Sequence, residues 1–416
     1  MRLRFLFLAV TAFTFPVAAH ADDTRLEALE RQLAAQQQRI AQLEVMVTEQ
    51  AALLKQVSAP ATTSPTPPRA VAVASVPAPA ARVPGLDVSG DLRVRQEWNF
   101  GGARDRSRSV LRARLRASYA VTGNLTIGTQ IATGDPDDPN STDVTLGNFV
   151  DDLNVSLDQA WLRYTTGSLT AWAGKFPLPF QRTDMVWDGD VSPQGAALTV
   201  TAPAGAVKLD ARALYLVIDE APTARDSDML GGQIAAAAPL GSDLKFTLAG
   251  SYYHYRLGSV AGADAGDFRG NRIAAGRYLS DFHLVEGLAT LGWSGPSAHW
   301  PVTLTADYVR NLGATVPADT GFNVELAAGR TAQPGDWRVA YNYSDVEVDA
   351  VFAAFSHDNI DLSTNYRLHG LGVAYIPARD LQLDLALYHY RPLDPVYAGG
   401  ATDWLNRVRL NFMVNF

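Results

Sequence analysis

The sequence contains no cysteine. This excludes thiolate metal sites, catalytic thiols and disulfide bonds. Charged residues make up 19% of the chain and hydrophobic residues 47%, so the composition is not that of a disordered acidic protein. The net charge of −8 argues against a nucleic-acid partner, because phosphate backbones attract basic surfaces.

Long apolar runs are scarce and occur at the start of the chain. A basic "MRLR" is followed by the apolar "FLFLAVTAFTFPVAA" and by "AHA", an A-x-A cleavage site, so residues 1–21 are predicted to be a signal peptide. A retained anchor would need a longer apolar run. Farther along, no stretch approaches 18 uncharged apolar residues, which argues against a helical membrane protein. A transmembrane barrel stays open, because its strands give a weaker hydropathy signal.

Residues 22–57 have a heptad pattern, in which apolar residues recur every seventh position at Leu26, Leu33, Ile40, Val47 and Leu54. The pattern predicts an α-helical coiled coil and therefore a homo-oligomer, with a trimer as the first expectation. A single amphipathic helix is the alternative, and heptad spacing alone does not fix the number of helices. Residues 58–85 contain seven prolines and are predicted to form an extended linker.

The remainder of the chain, residues 86–416, consists of short alternating segments. In 86–98, Leu86, Val88, Leu92 and Val94 share one face, and charged residues occupy the other. Such alternation is typical of a β-strand between an apolar and a polar surface. We count about sixteen strands, at 86–98, 107–121, 125–133, 155–164, 168–176, 196–203, 207–217, 228–239, 244–255, 282–293, 302–309, 321–329, 337–343, 366–376, 381–390 and 404–416.

The connections between these segments alternate in length. Tight turns such as "TTGS" and "PAGA" follow every second strand, whereas polar loops such as 134–154 and 345–365 follow the others. This alternation is typical of an all-β, antiparallel, transmembrane β-barrel with its short turns in the periplasm. A soluble β-sandwich is the alternative. The length of the strands and the aromatic residues near their ends favour the barrel.

Four stretches carry a resemblance to a known family. They are "LDQAWLRY" (157–164), "AGKFPLPF" (173–180), "WDGDVSPQGAA" (187–197) and "GDWRVAYNYSDVEVDAVF" (335–352). Together they resemble the Gram-negative "putative porin" family, which is distantly similar to the phosphate-selective porins. The resemblance implies an outer-membrane location with the coiled coil and linker in the periplasm, a trimer, and Phe416 as the signal for the outer-membrane assembly machinery. It does not identify the solute.

The strand pattern also predicts which basic residues line the pore. If the barrel closes, the last strand lies beside the first, and seven arginines fall on three contiguous strands. Arg108 and Arg212 take inward positions as well. The residues predicted to line the pore are Arg93, Arg95, Arg112, Arg114, Arg116, Arg163, Lys175, Arg338, Arg407 and Arg409.

These residues predict a porin for passive diffusion of small hydrophilic solutes, neutral or anionic, with a preference for anions. The alternative for the arginines is that nearby carboxylates neutralise them, or that acidic groups across the lumen create a transverse field with little net selectivity.

Two loops have compositions that could serve function. The loop 177–194 contains Phe180, Trp187, Asp188 and Asp190, and we expect it to fold into the lumen as a constriction, although a surface or subunit-contact loop is the alternative. The acidic loop 134–143 has enough oxygen ligands for Ca²⁺ but lacks the spacing of an EF-hand. We predict no metal and no cofactor.

Enzyme motifs are missing from the sequence. No G-x-S-x-G, H-E-x-x-H or P-loop pattern occurs, and the "SHDN" at 356–359 places serine, histidine and aspartate adjacent in sequence without implying catalytic geometry. We therefore expect no enzymatic activity. The alternative to a porin is a non-conducting barrel that anchors the cell wall, including peptidoglycan, through its coiled coil.

Overall fold

The computed structural model describes residues 83–102, 105–260, 262–263 and 266–416. The chain divides into two compact units, Met1–Ala80 and Ala81–Phe416, and the described residues fall in the second. The signal peptide (1–21), the coiled coil (22–57) and the linker as far as residue 82 lie outside the described residues and stay predictions.

Sixteen antiparallel strands form one closed β-barrel, which confirms the all-β, antiparallel barrel predicted from the alternation. They are β1 (Leu86–Phe100), β2 (Arg106–Ala120), β3 (Leu125–Thr133), β4 (Val155–Thr166), β5 (Leu169–Lys175), β6 (Gln194–Ala204), β7 (Val207–Asp219), β8 (Ser227–Pro239), β9 (Leu244–Leu257), β10 (His283–Trp293), β11 (Val302–Asn311), β12 (Thr320–Gly329), β13 (Trp337–Val346), β14 (Tyr366–Tyr375), β15 (Leu381–Pro392) and β16 (Leu405–Asn415).

Smaller elements lie in the loops. The two-residue strand Val144–Thr145 pairs with β2, and Ile273–Ala274 pairs with Arg277–Tyr278. Three short 3₁₀ helices cover Asn148–Val150, Ala353–Phe355 and Pro395–Ala398. Among the described residues, no helix is long and apolar enough to cross a membrane.

The barrel closes between its first and last strands. β1 pairs with β16 in a register that runs from Asp91 opposite Asn415 to Phe100 opposite Asn406. The last residue continues this pairing, because the Gly90 N–H donates to the Phe416 carbonyl at 2.9 Å and the Phe416 N–H donates back at 3.1 Å. A side chain at position 90 would occupy the space of the Phe416 ring, so the glycine allows the aromatic terminus to pack on β1.

The two faces of the strands differ in chemistry. Outward side chains are apolar and exposed, for example Leu92 (41%), Val94 (44%) and Phe412 (44%), whereas the alternate residues point into the lumen. Because a shift of one residue would exchange the two faces, the apolar pattern fixes the register of each strand.

Connections at the two ends of the barrel differ in length, as the sequence predicted. β6 and β7 are joined by two residues, and Gly205 at the turn has a φ of 66°, a conformation that favours glycine. At the opposite end, residues 176–193 join β5 to β6, and residues 347–365 join β13 to β14. We refer to these as the short-turn end and the long-loop end.

Both long loops fold inward. Trp187 and Phe355 are buried at 0% and 8% exposure, and they pack with strand residues in one apolar cluster inside the barrel. Tyr253 on β9 belongs to the same cluster, with its ring 5.8 Å from that of Trp187. The lumen is therefore partly filled by side chains from its own loops.

Candidate functional site: an arginine-lined lumen

Eight arginines that form ion pairs point into the lumen from three neighbouring strands, β16, β1 and β2. Their inward position follows from the alternation, and their proximity follows from barrel closure. We call this set the arginine wall, which consists of Arg93, Arg95, Arg108, Arg112, Arg114, Arg116, Arg407 and Arg409.

Glu97 lies at the centre of one half of the wall. The register places it opposite Arg108 on β2 and opposite Arg409 on β16. Arg108 Nε and Arg409 Nε each donate to Glu97 at 2.7 Å, and Arg407 Nε lies 3.6 Å from it. The Glu97 side chain is fully buried, so its charge is compensated within the protein.

Asp91 has the same role in the other half of the wall. It lies opposite Arg114 in the register and accepts hydrogen bonds from Arg112 at 3.1 Å, Arg114 at 2.9 Å and Arg116 at 2.9 Å. The Arg116 side chain is the most exposed of these, at 37%.

Two loop carboxylates complete the wall. Asp143 forms ion pairs with Arg93 and with Arg95, the second at 2.7 Å. Burial raises the pKa of Asp143, but the charges of Arg95 and Arg93 outweigh it and hold that pKa below its usual value. Asp190 accepts from Arg114 at 2.8 Å, which ties the loop 176–193 to the wall.

The wall carries more positive than negative charge. Its eight guanidinium groups form ion pairs with five carboxylates, those of Asp91, Glu97, Asp143, Asp190 and Asp361, which leaves an excess of three positive charges. Asp358 and Asp384 lie near Arg95 and reduce this excess at longer range. The neutralisation that the sequence left open is therefore extensive but incomplete.

The loop 176–193 spans the lumen from the wall to the opposite strands. Asp190 contacts Arg114 on β2. On the far side, the Gln181 N–H donates to Gln233 Oε1 at 2.8 Å, and Thr183 donates to Asp307. The loop thus crosses the passage, which is where a constriction is needed.

The four residues proposed for this constriction have different surroundings. Phe180 (5% exposed) and Trp187 are buried, with Phe180 packed on Tyr253. Asp190 faces the wall, whereas Asp188 accepts the Asp190 N–H at 2.8 Å and contacts no arginine within the described part of the chain. Burial, followed by the charge of Asp184, raises the pKa of Asp188.

A second loop, 347–365, braces the first, and the sequence did not predict it. Trp187 stacks on Phe355 with ring centroids 5.3 Å apart, and the Asp188 N–H donates to the Phe355 carbonyl at 2.8 Å. The His357 N–H donates to the Asp184 carbonyl at 3.0 Å. One feature of the sequence could have indicated this burial. The long loop contains the apolar run "VDAVFAAF", which is unusual for a loop exposed to solvent.

Open space remains on both sides of the crossing loop. One cavity of about 440 Å³ is bordered by Arg114, Arg116, Gly189 and Asp190. Another, of about 370 Å³, is bordered by Thr183, Arg338 and polar residues of β12 to β15. The arginine wall thus lines the first of these spaces.

The other predicted pore-lining residues lie apart from the wall. Arg163 on β4 lies 5.4 Å above the ring of Trp172, Arg338 on β13 pairs with Glu325 at 2.6 Å, and Lys175 borders a cavity near the long-loop end. All three lie on inward or loop-facing positions, and their contribution to conduction stays a prediction.

The carboxylates of the acidic loop 134–143 do not come together to form a metal-binding site. In the part of the chain that the structure describes, no three carboxylate or histidine side chains are placed to share a metal ion. Asp143 instead faces two arginines, and the Asn140 amide donates to the Ser356 carbonyl at 2.7 Å.

The "SHDN" segment forms no catalytic relay. The Ser356 hydroxyl lies within hydrogen-bond distance of the carbonyls of Ala353 and Ser363, both at 3.1 Å, and donates its one proton within this pair. The ring nitrogens of His357 have no hydrogen-bond partner among the described residues, and burial lowers its pKa to about 4. A neutral, unpartnered imidazole cannot orient or activate this serine.

Fold and lumen together define a barrel of the class formed by outer-membrane porins. The model of the family described as "Putative porin" matches residues 96–266, which confirms the resemblance seen in the sequence. Among curated proteins, no sequence matches the chain.

Solved structures share the fold at low sequence identity. OprB of Pseudomonas putida is 14% identical, with a TM-score of 0.54 over 80% of this chain and 94% of OprB. A mutant of the Rh. blastica porin (13% identity, TM-score 0.46) and the trimer form of OmpT from Vibrio cholerae (13%, 0.47) each align over 80% of this chain and 100% of their own. The likeness to OprB establishes the barrel fold.

Proposed function

We propose that this protein is an outer-membrane porin that lets small hydrophilic solutes diffuse passively, with a preference for anions. The observation that carries the proposal is the arginine wall, whose eight guanidinium groups outnumber their carboxylate partners beside an open lumen cavity. Guanidinium groups stay charged at any physiological pH, so the wall raises the local concentration of anions.

Burial of two carboxylates opposite the wall favours net anion preference over a purely transverse field. Two carboxylates on the opposite strands are buried, with Glu286 at 2% and Asp307 at 1% exposure, whereas Glu325 is exposed and paired with Arg338. In the wall, the side chains of Arg116 and Arg108 are 37% and 25% exposed. The exposed carboxylates of Asp361 and Glu325, at 59% and 38%, are paired with Arg407 and Arg338, so the proposed anion preference rests on the excess of guanidinium groups over carboxylates in the wall.

Three further proposals concern assembly and location. The barrel is inserted in the outer membrane of a Gram-negative bacterium, where the lipid contacts its apolar outward face and the assembly machinery recognises the terminal Phe416. The chain forms a homo-oligomer, with a trimer as the first expectation, through the predicted coiled coil at 22–57. That segment and the linker lie in the periplasm, where the coiled coil could also contact peptidoglycan.

Liposome swelling distinguishes a channel from a non-conducting anchor. We expect proteoliposomes of the purified protein to swell in isotonic solutions of a monosaccharide and of small organic anions, with the initial rate falling as solute size rises. Liposomes that contain heat-denatured protein provide the control. A swelling rate equal to that control for every solute would favour the non-conducting anchor instead.

A further inference from the structure

We propose that the outward surface of the barrel carries a binding site for the phosphate group of a phosphorylated lipid headgroup, formed by Arg367 and Arg391 on a platform of Trp404 and His389. The proposal rests on the membrane location given above and is independent of conduction. The site lies on β14 to β16, on the face opposite to the lumen.

Strand register brings the two arginines together. Arg367 on β14 lies directly opposite Arg391 on β15. Both share the outward face with exposed leucines, Leu371 and Leu385, each at 38% exposure. The two arginines therefore start from neighbouring backbone positions on the outward face, where Arg367 contacts Asp345 on one side and Arg391 contacts Trp404 on the other.

The charges of this pair are only half compensated. Arg367 donates two hydrogen bonds to Asp345, at 2.8 and 2.6 Å. Arg391 has no carboxylate partner among the residues that the structure describes, and its Nε is buried without a hydrogen-bond acceptor. A guanidinium group that faces lipid is costly unless an anion reaches it, so Arg391 calls for an anionic partner from outside the chain.

Aromatic residues hold the unpaired arginine in place. The Arg391 guanidinium lies 5.1 Å from the centroid of the Trp404 ring, a cation–π distance. Trp404 in turn stacks on His389 with centroids 4.1 Å apart and an interplanar angle of 6°, and His389 bonds Asn406 at 2.8 Å. This stack limits the rotamers of the arginine, so that binding an anion costs little side-chain entropy.

The position along the strand fits a headgroup. Tyr375, which stacks on Trp337 near the short-turn end, lies eight residues beyond Arg367 on β14. Eight residues span about 26 Å along a strand, and a tilt of about 40° reduces this to about 20 Å of height. The apolar band of such barrels is about 25 Å tall, so the backbone of the arginine pair lies about 5 Å inside its far boundary, a distance that a long arginine side chain can bridge to reach the lipid phosphates.

A phosphate is the anion that suits this pair. Its oxygens accept two parallel hydrogen bonds from one guanidinium fork and a further bond from a neighbouring group. Arg256 also faces outward at the long-loop end of β9, but unlike Arg391 it has a carboxylate partner within the chain. It donates two hydrogen bonds to Asp228, at 2.6 and 2.7 Å. It therefore provides a matched control.

Native mass spectrometry of the full-length protein in neutral detergent tests the site. The probes are lipid A, a diphosphorylated glycolipid, its dephosphorylated form, and inorganic phosphate. We expect the wild type to bind lipid A about tenfold more tightly than the dephosphorylated lipid, and Arg391→Leu to lose this difference. Arg256→Leu should keep it, and inorganic phosphate should not compete at the same concentration.

Several results would overturn the proposal. These are equal binding of the two lipids by the wild type, an undiminished preference in Arg391→Leu, or an Arg391-dependent site that free phosphate fills equally well. Dissociation of the oligomer by Arg391→Leu, with lipid preference intact, would mark a subunit contact instead. If unheated Arg391→Leu has the same gel mobility as the wild type, the barrel is folded. Its single-channel conductance should also equal that of the wild type, because Arg391 faces away from the lumen.

Discussion

Replacing Glu97 with glutamine is expected to lower the free energy of unfolding by about 3–5 kcal/mol. The fully buried Glu97 carboxylate accepts hydrogen bonds from Arg108 and Arg409 and lies near Arg407. The amide has the same shape but no charge, so Arg108 and Arg409 would lose the carboxylate with which they form ion pairs, and Arg407 would keep only Asp361. Urea titration of the barrel in lipid vesicles, followed by gel mobility, measures the change.

The control for this variant is a second glutamate in an exposed ion pair. Glu325 accepts from Arg338 at 2.6 Å, but the two side chains are 38% and 39% exposed. Because solvent screens such a pair, Glu325→Gln should change the free energy of unfolding by less than about 1 kcal/mol. Equal effects of the two substitutions would mean that Glu97 does not organise the wall.

Shortening the loop 176–193 is expected to raise single-channel conductance about twofold or more, because the loop crosses the lumen. The barrel should tolerate the change. Lys175 and Gln194 are directly opposite each other in the register of β5 and β6, so a hairpin of about four residues can replace 178–191. Conductance in planar bilayers at high salt provides the measurement.

A matched deletion tests whether the effect depends on the lumen. The loop between β15 and β16 contains the short helix Pro395–Ala398, in which Val396 is 81% exposed. Removing those four residues should leave conductance unchanged, because they lie outside the passage. If the shortened 176–193 loop also leaves conductance unchanged, the segment does not form the constriction.

The barrel was predictable because alternation is a local property. Leu92 and Val94 alternate with Arg93 and Arg95 within one strand, so their faces can be read without knowing any partner. An even number of antiparallel strands allows the first and last strands to pair, and this closure brings Arg407 and Arg409 to β1. The resulting arginine wall needed no contact information beyond the order of the strands.

Partners across strands and loops were not predictable in the same way. That Glu97 lies between Arg108 and Arg409 depends on the register of two separate strand pairs, which a one-residue shift would change. The anchoring of the crossing loop by Thr183 on Asp307 joins residues far apart in sequence and has no periodic signal. The buried loop 347–365 resembles an ordinary connection unless its apolar run is noticed.

The zero-current potential of the wild-type channel under a KCl gradient tests the central claim most directly. We predict a sign that shows chloride to be more permeant than potassium. Arg116→Gln should move this potential toward zero. The barrel should lose little stability, because Asp91 would still form ion pairs with Arg112 and Arg114 and because the Arg116 side chain is 37% exposed. A potential of the opposite sign, with potassium more permeant, would contradict the account.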